Sequence, residues 1–236
     1  MERVVQPEIL DTLSPEDPRV ENARRDLRWI NALMNHSRIL QATIFPNLPK
    51  NVKLKVLEIG SGDGSLALNS FQKLGKVPEG SKIDFVDKGS EPSAKVKSRF
   101  NELGWEVSGI SMDIFQWLKL DEHGYQICFS SLFLHHFQSI ELSCLFREIS
   151  RKISSFVCLE PRRNQFGLLG ATGLRLLNCD SITLHDSKVS VRAGFNRTEL
   201  TDLWNESAEG DWKIQEGRAG LFSHLFSAST LRANNS

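Results

Sequence analysis

Residues 56–66 hold the densest chemistry in the chain. An apolar run carries Glu58 and opens into Gly60, Ser61, Gly62 and Gly64, and a helical pattern follows. Glycines at alternate positions let the backbone turn sharply and let a ligand lie against it with no side chain between. An acid two residues before the first glycine can receive a cationic or hydroxyl group of that ligand. The spacing of 60, 62 and 64 differs from the G-x-G-x-x-G dinucleotide pattern, which would place a glycine where Ser65 stands. A tight strand-to-helix turn with no ligand is the plainer alternative for such a loop.

Further polar groups fall where later apolar runs end. Asp87 follows the second run, 23 residues after Gly64, and a carboxylate there can accept both hydroxyls of a ribose. A turn or cap residue is the bland reading. Asp113, followed by Ile114, ends the third run; it can accept from an exocyclic amine or cap the next turn. Ser130 and Ser131 close the fourth, and His135 and His136 come just after. Histidine suits proton transfer near neutral pH, although at most one of two adjacent rings faces a site. His185, next to Asp186, is a third candidate, and Glu160 at the end of the fifth run a fourth.

The elements that would position these groups alternate. Strands are expected at 53–59, 82–86, 106–111, 126–130 and 155–159, with helices at 65–74, 94–103 and 140–153. A last helix at 197–207 and two closing strands at 212–216 and 221–228 follow. Such alternation implies a doubly wound α/β fold, with a mostly parallel sheet and helices on both faces. Ahead of it, residues 20–44 carry apolar residues at helical spacing, and Pro46 and Pro49 end that pattern. Residues 1–50 are therefore read as an N-terminal helical arm and 51–236 as the main domain. Residues 162–196 read as an irregular insertion before the last helix.

This order, with E-x-G-x-G-x-G at residues 58–64, resembles the class I S-adenosylmethionine-dependent methyltransferases. The segment from Ser131 to Phe137 resembles the L-H-H-hydrophobic stretch of the small-molecule members. The whole chain is similar to methyltransferases found beside bacterial type III polyketide synthases. The resemblance implies a seven-stranded Rossmann-like sheet ending in an antiparallel hairpin, with S-adenosylmethionine as cofactor. It implies cofactor contacts from Glu58, Gly60, Ser61, Gly62, Gly64, Asp87, Lys88, Asp113, Ile114, Ser130 and Ser131. Asp113 would meet the adenine amine, Ile114 would pack on the ring, and the serines would lie near the methionine end. His135, His136 and His185 are the catalytic candidates. The acceptor would be a small phenolic or quinone-like molecule.

The arm and the insertion would cover the acceptor. Phe166, Leu168, Leu169, Leu174, Leu176 and Leu177 would line it, with Arg162 and Arg163 available to an acidic or hydroxyl group. Core packing explains those apolar residues equally well. Two other function classes stay open on these residues: a nicotinamide- or flavin-dependent oxidoreductase, and a non-catalytic cofactor-binding or protein-interaction module.

Bulk properties narrow the partners. The 236 residues hold 29 Lys plus Arg and 29 Asp plus Glu, so no net charge recommends a nucleic acid. The N/D-P-P-Y/F motif of nucleic-acid amino-methyltransferases is replaced by Ser130-Ser131-Leu132-Phe133. The polar N-terminus has no signal-peptide core and no apolar run is long enough for a membrane span, so a cytoplasmic location is expected. A homodimer is a further expectation. Cys128, Cys144, Cys158 and Cys179 form no C-x-x-C pair, are expected to be buried reduced thiols, and suggest no metal site.

Overall fold

A computed structural model describes residues 1–13, 17–120, 124–174 and 179–230, leaving aside the side chains of Arg24 and Asn31. Leu176 and Leu177 fall outside the described residues. The arm comprises α1 (Ile9–Thr12), α2 (Pro18–Leu33) and α3 (His36–Ile44). The main domain runs β1 (Lys55–Ile59), α4 (Ser65–Phe71), β2 (Ser81–Asp87), α5 (Ala94–Glu102), β3 (Trp105–Ser111), α6 (Ile114–Trp117) and β4 (Ile127–Ser131). It continues with α7 (Ser139–Ser150), β5 (Ser155–Pro161), α8 (Gln165–Gly173), α9 (Ser181–Ala193), α10 (Glu199–Ser207), β6 (Trp212–Ala219) and β7 (Ser223–Thr230).

The seven strands lie in the order β3-β2-β1-β4-β5-β7-β6. β1 to β5 are parallel, and β7 pairs antiparallel with both β5 and β6. The order reverses between β1 and β4, and open α/β sheets leave a crevice at the strand ends beside such a switch. The four parallel strands nearest that point are apolar and buried on both faces, because helices cover both. One face packs Leu57, Cys128, Phe146, Phe156 and Trp204; the other packs Val56, Phe71, Phe85, Phe100 and Phe129.

The expected single helix over residues 20–44 is two. Asn35 takes a left-handed conformation at φ 58° and breaks it. Asparagine tolerates that region, so apolar spacing continued across the break while the axis did not. Where an irregular insertion is expected over 162–196, the described residues include two helices, α8 and α9. Cys144 is exposed and Cys179 partly exposed, so only Cys128 and Cys158 are the buried thiols expected of all four.

Candidate functional site

A cavity of about 1060 Å³ opens along the carboxyl ends of β1, β2 and β4. One end is built by the glycine loop. Gly60 has φ +66°, and a Cβ there would lie 2.3 Å from the Phe133 ring. Only glycine lets the loop pass beneath that ring. Gly62, at φ +54°, has nothing within 4 Å of its Cβ position and exposes bare backbone. Gly64 differs from both, since it packs against Phe85, Pro92 and Val96 and is not part of the cavity wall.

Asp87 ends β2 and faces that loop. Its Oδ2 accepts from Gly62 N and its Oδ1 from Gly89 N, both at 2.9 Å. The carboxylate is held in place while each oxygen keeps lone-pair capacity for a ligand. Glu58 is 2% exposed, and its Oε2 has no hydrogen-bond partner. Burial, with Asp63 and Asp87 nearby, raises its pKa well above the usual carboxylate value. Ser61 Oγ is also buried and unpartnered beside it. Lys88, Asp113 and Ile114 complete this rim. Asp113 Oδ1 also accepts from Phe115 N at 2.9 Å, so it is the cap of α6 as well as a lining residue.

The other end of the cavity is built after β4. Leu132 sits at φ 53°, a left-handed turn uncommon for a leucine. It throws Phe133 over Gly60 and starts the short helical turn that presents His135 and His136. Glu160, fully buried in β5, holds this turn. It accepts from the backbone N–H of Phe133, Leu134 and His135, and from His135 Nδ1 at 2.8 Å. His135 Nε2 lies 3.3 Å from Glu8 Oε1, which also accepts from Ser190. Burial opposes charge on the His135 ring, but its hydrogen bonds to Glu160 and Glu8 prevail and raise its pKa to about 9. His136 Nδ1 lies 3.2 Å from Asp11 Oδ2, and all four of Glu8, Asp11, His135 and His136 line the cavity.

The residues 1–13 are tied down across this end. Asp186 accepts from Ile9 N and Leu10 N, Arg3 donates to Phe137 O and Ala193 O, and Arg163 donates to Met1 O. Between the two ends, α2 contributes Leu27 and Ile30 and its C-cap Met34, and α8 contributes Gly170 and Ala171 and its C-cap Leu174. Arg28 of α2 bonds Asp63 of the glycine loop at 3.0 Å, fixing the arm to the loop.

Several expected residues stand elsewhere. Ser130 Oγ is buried behind the wall, while Ser131 lines the cavity but its hydroxyl is hydrogen-bonded with His36 Nδ1 at 2.8 Å. His185 contacts Asp186 at 3.0 Å, yet its side chain is 55% exposed and outside the cavity. Arg163 is buried in an ion pair with Glu199 and serves the fold, and Arg162 does not line the cavity. Phe166 and Leu169 project outward at 68% and 70% exposure. Leu168 is half-buried but also off the wall, so only Leu174 of the described apolar candidates lines it. Sequence reasoning does not find Glu8. It sits in a polar stretch with no periodicity, 127 residues from its partner His135. Asp11, in the same stretch, is a second such residue.

No family model matches the sequence, and no curated protein matches it. Solved structures do. The plantazolicin methyltransferase BpumL in complex with SAH is 13% identical, with TM-score 0.59 and 91% of each chain covered. Magnesium protoporphyrin IX methyltransferase (ChlM) from Synechocystis PCC 6803 with bound SAH is 13% identical, with TM-score 0.54, covering 84% of this chain and 82% of that one. Mitomycin 7-O-methyltransferase MmcR is 14% identical, with TM-score 0.57; 94% of this chain covers 60% of that one. The chain therefore has the Rossmann-like fold that these methyltransferases share, with its antiparallel C-terminal hairpin.

Proposed function

We propose that this protein transfers a methyl group from S-adenosylmethionine to a small phenolic or quinone-like acceptor. One observation carries the reading. A single cavity joins the unpartnered Glu58 Oε2 and Ser61 Oγ, with the Asp87 carboxylate beside them, to the His135–Glu160 pair. Buried polar atoms without partners are costly, and a ligand that supplies the missing bonds removes that cost. The methyltransferase neighbours, two of them with SAH bound, support the choice of cofactor.

In this reading the Gly60–Gly62 backbone lies against the cofactor and Asp87 takes the ribose hydroxyls. Asp113 takes the adenine amine through its free oxygen, Ile114 packs on the ring, and Lys88 stands at the rim. Glu58 and Ser61 meet the polar end, and Ser131 holds His36 in the wall. Gly64 and Ser130 support the loop and strand from behind. Bound S-adenosylmethionine supplies the activated methyl group. The protein's part is to align acceptor and methyl and to exclude water.

The acceptor occupies the half walled by α2, α8 and α9, so residues 1–50 and 162–196 act as its cover. The apolar wall suits a ring or chain, while His135 and His136 handle its ionisable oxygen. His185 lies too far out to share that work. Balanced charge favours a free small molecule over a nucleic acid. Among the described residues no helix is long and apolar enough to cross a membrane, which suits a cytoplasmic enzyme.

The test is methyl transfer from labelled S-adenosylmethionine to a panel of phenols and hydroquinones, with NADH binding as a control. A labelled product that disappears in His135→Asn is expected. NADH binding without S-adenosylhomocysteine binding would replace this reading with an oxidoreductase.

A further inference from the structure

We propose that Glu8, His135 and His136 form a binding site for a divalent first-row transition-metal ion, of the zinc type, at the acceptor end of the cavity. The inference rests on the proposed function only for the acceptor's position; the ligand set stands by itself. One ligand atom from each of the three residues lies within 4.8 Å of the others.

Four observations favour an ion over a simple salt bridge. First, both histidines have a carboxylate at Nδ1. Glu160 stands 2.8 Å from His135 Nδ1 and Asp11 stands 3.2 Å from His136 Nδ1. Metal-binding histidines are oriented in this way, the second nitrogen given to a carboxylate and the first left for the metal. An ion would take the place of the proton between His135 Nε2 and Glu8 Oε1.

Second, the His135 Nε2 to Glu8 Oε1 distance is 3.3 Å. That is long for a charge-assisted hydrogen bond, which runs at about 2.7–2.9 Å. Two atoms each about 2.0 Å from a tetrahedral ion stand about 3.3 Å apart. The His135–Glu160 contact, at 2.8 Å, has the length of a true hydrogen bond.

Third, three carboxylates, Glu8, Asp11 and Glu160, surround two imidazoles. Arg3 is the nearby cation, and its guanidinium is engaged with the carbonyls of His135, Phe137 and Ala193. Even with Arg3 and a charged His135 ring counted, the three carboxylates leave one excess negative charge. Fourth, the three ligands line the cavity, so coordination positions remain open towards the acceptor. His136 is a quarter exposed on the cavity side of this cluster.

Two imidazoles and one carboxylate suit zinc, cobalt(II), manganese(II) or iron(II), whereas magnesium requires oxygen ligands. Such an ion polarises an oxygen bound to it. A phenol or enol bound there would lose its proton more readily and would present its oxygen from a fixed point.

The test uses the full chain carrying Cys144→Ser and Cys179→Ser, which removes the accessible thiols. Calorimetry with ZnCl2 should give one ion per chain, and excess MgCl2 should not displace it. Glu8→Gln and His136→Asn should each weaken zinc by more than about tenfold, and Glu160→Gln by about 10- to 100-fold. CoCl2 should give visible d–d bands that are lost in Glu8→Gln. Circular dichroism of each variant separates ligand loss from unfolding. No zinc binding to the folded chain, or equal affinity in Glu8→Gln and His136→Asn, would overturn the site. A parallel S-adenosylhomocysteine titration separates the two readings. Cofactor binding without zinc refutes the metal alone; zinc binding without the cofactor refutes the methyltransferase reading and leaves the site.

Discussion

Glu58 at the end of β1 and Glu160 at the end of β5 occupy matching places in one sheet, and both are buried. Their surroundings are opposite. Glu58 leaves an oxygen unpartnered, and burial raises its pKa well above the usual range. Glu160 is desolvated too, but His135 and the amides of Leu134 and Phe133 hold its pKa below the usual value. One carboxyl keeps an oxygen without a partner; the other is satisfied and positions a neighbour. Burial alone therefore does not distinguish the two; what sets Glu58 apart is an unpartnered oxygen on a residue that lines the cavity.

Breaking the satisfied end should cost most. Glu160→Gln leaves three amides and His135 with a weakened acceptor, and losing one partner of a buried pair costs about 3–5 kcal/mol. Urea unfolding should show that loss, and the His135 ring should titrate below its present value of about 9 by NMR.

His36 sharpens the comparison, since it feels the same Glu160 charge without touching it. Burial keeps this ring neutral and lowers its pKa to about 4, while its nitrogens bond Ser131 and Ser223. A lowered folded pKa means that the unfolded chain binds the proton more readily. Stability from this residue is complete above the unfolded value of about 6.5 and falls as pH drops towards 4. The loss should approach about 3 kcal/mol and should vanish from the pH dependence in His36→Gln.

Gly60→Ala attacks the unsatisfied end through the backbone. Strain at positive φ costs about 1–2 kcal/mol, and the clash with Phe133 adds to it. A lowered melting temperature and loss of cofactor binding are expected together. Glu58→Gln should separate those two effects. A raised pKa stabilises the fold below the unfolded value and loses that contribution as pH rises through the folded one. At neutral pH the amide should therefore raise ligand-free stability by about 1–2 kcal/mol while weakening S-adenosylhomocysteine. Thermal melts with and without ligand read both.

The unsatisfied end was the legible one in the sequence. Glu58, the glycine spacing and Asp87 are local patterns, and strand–helix alternation places them at one edge of the sheet. The other end depends on long-range partners. Glu8 and Asp11 lie in a segment without periodicity, and their contacts are with residues more than a hundred positions away. The glycines of α8 hid a helix because glycine is a poor helix former, yet Gly170 faces Phe222 closely enough that a Cβ would lie 2.7 Å from its ring. Arg163 read as a surface or substrate group, because nothing nearby in sequence announces Glu199 as its buried partner.

The most direct measurement is calorimetric titration of the wild-type chain and Asp87→Ala with S-adenosylhomocysteine. Saturable one-to-one binding to the wild type is expected, with a loss of about 3 kcal/mol, roughly a hundredfold in Kd, when the carboxylate is removed. Equal affinity in the two proteins, or no binding to the folded wild type, would contradict the assignment of the β1–β2 end as the cofactor site.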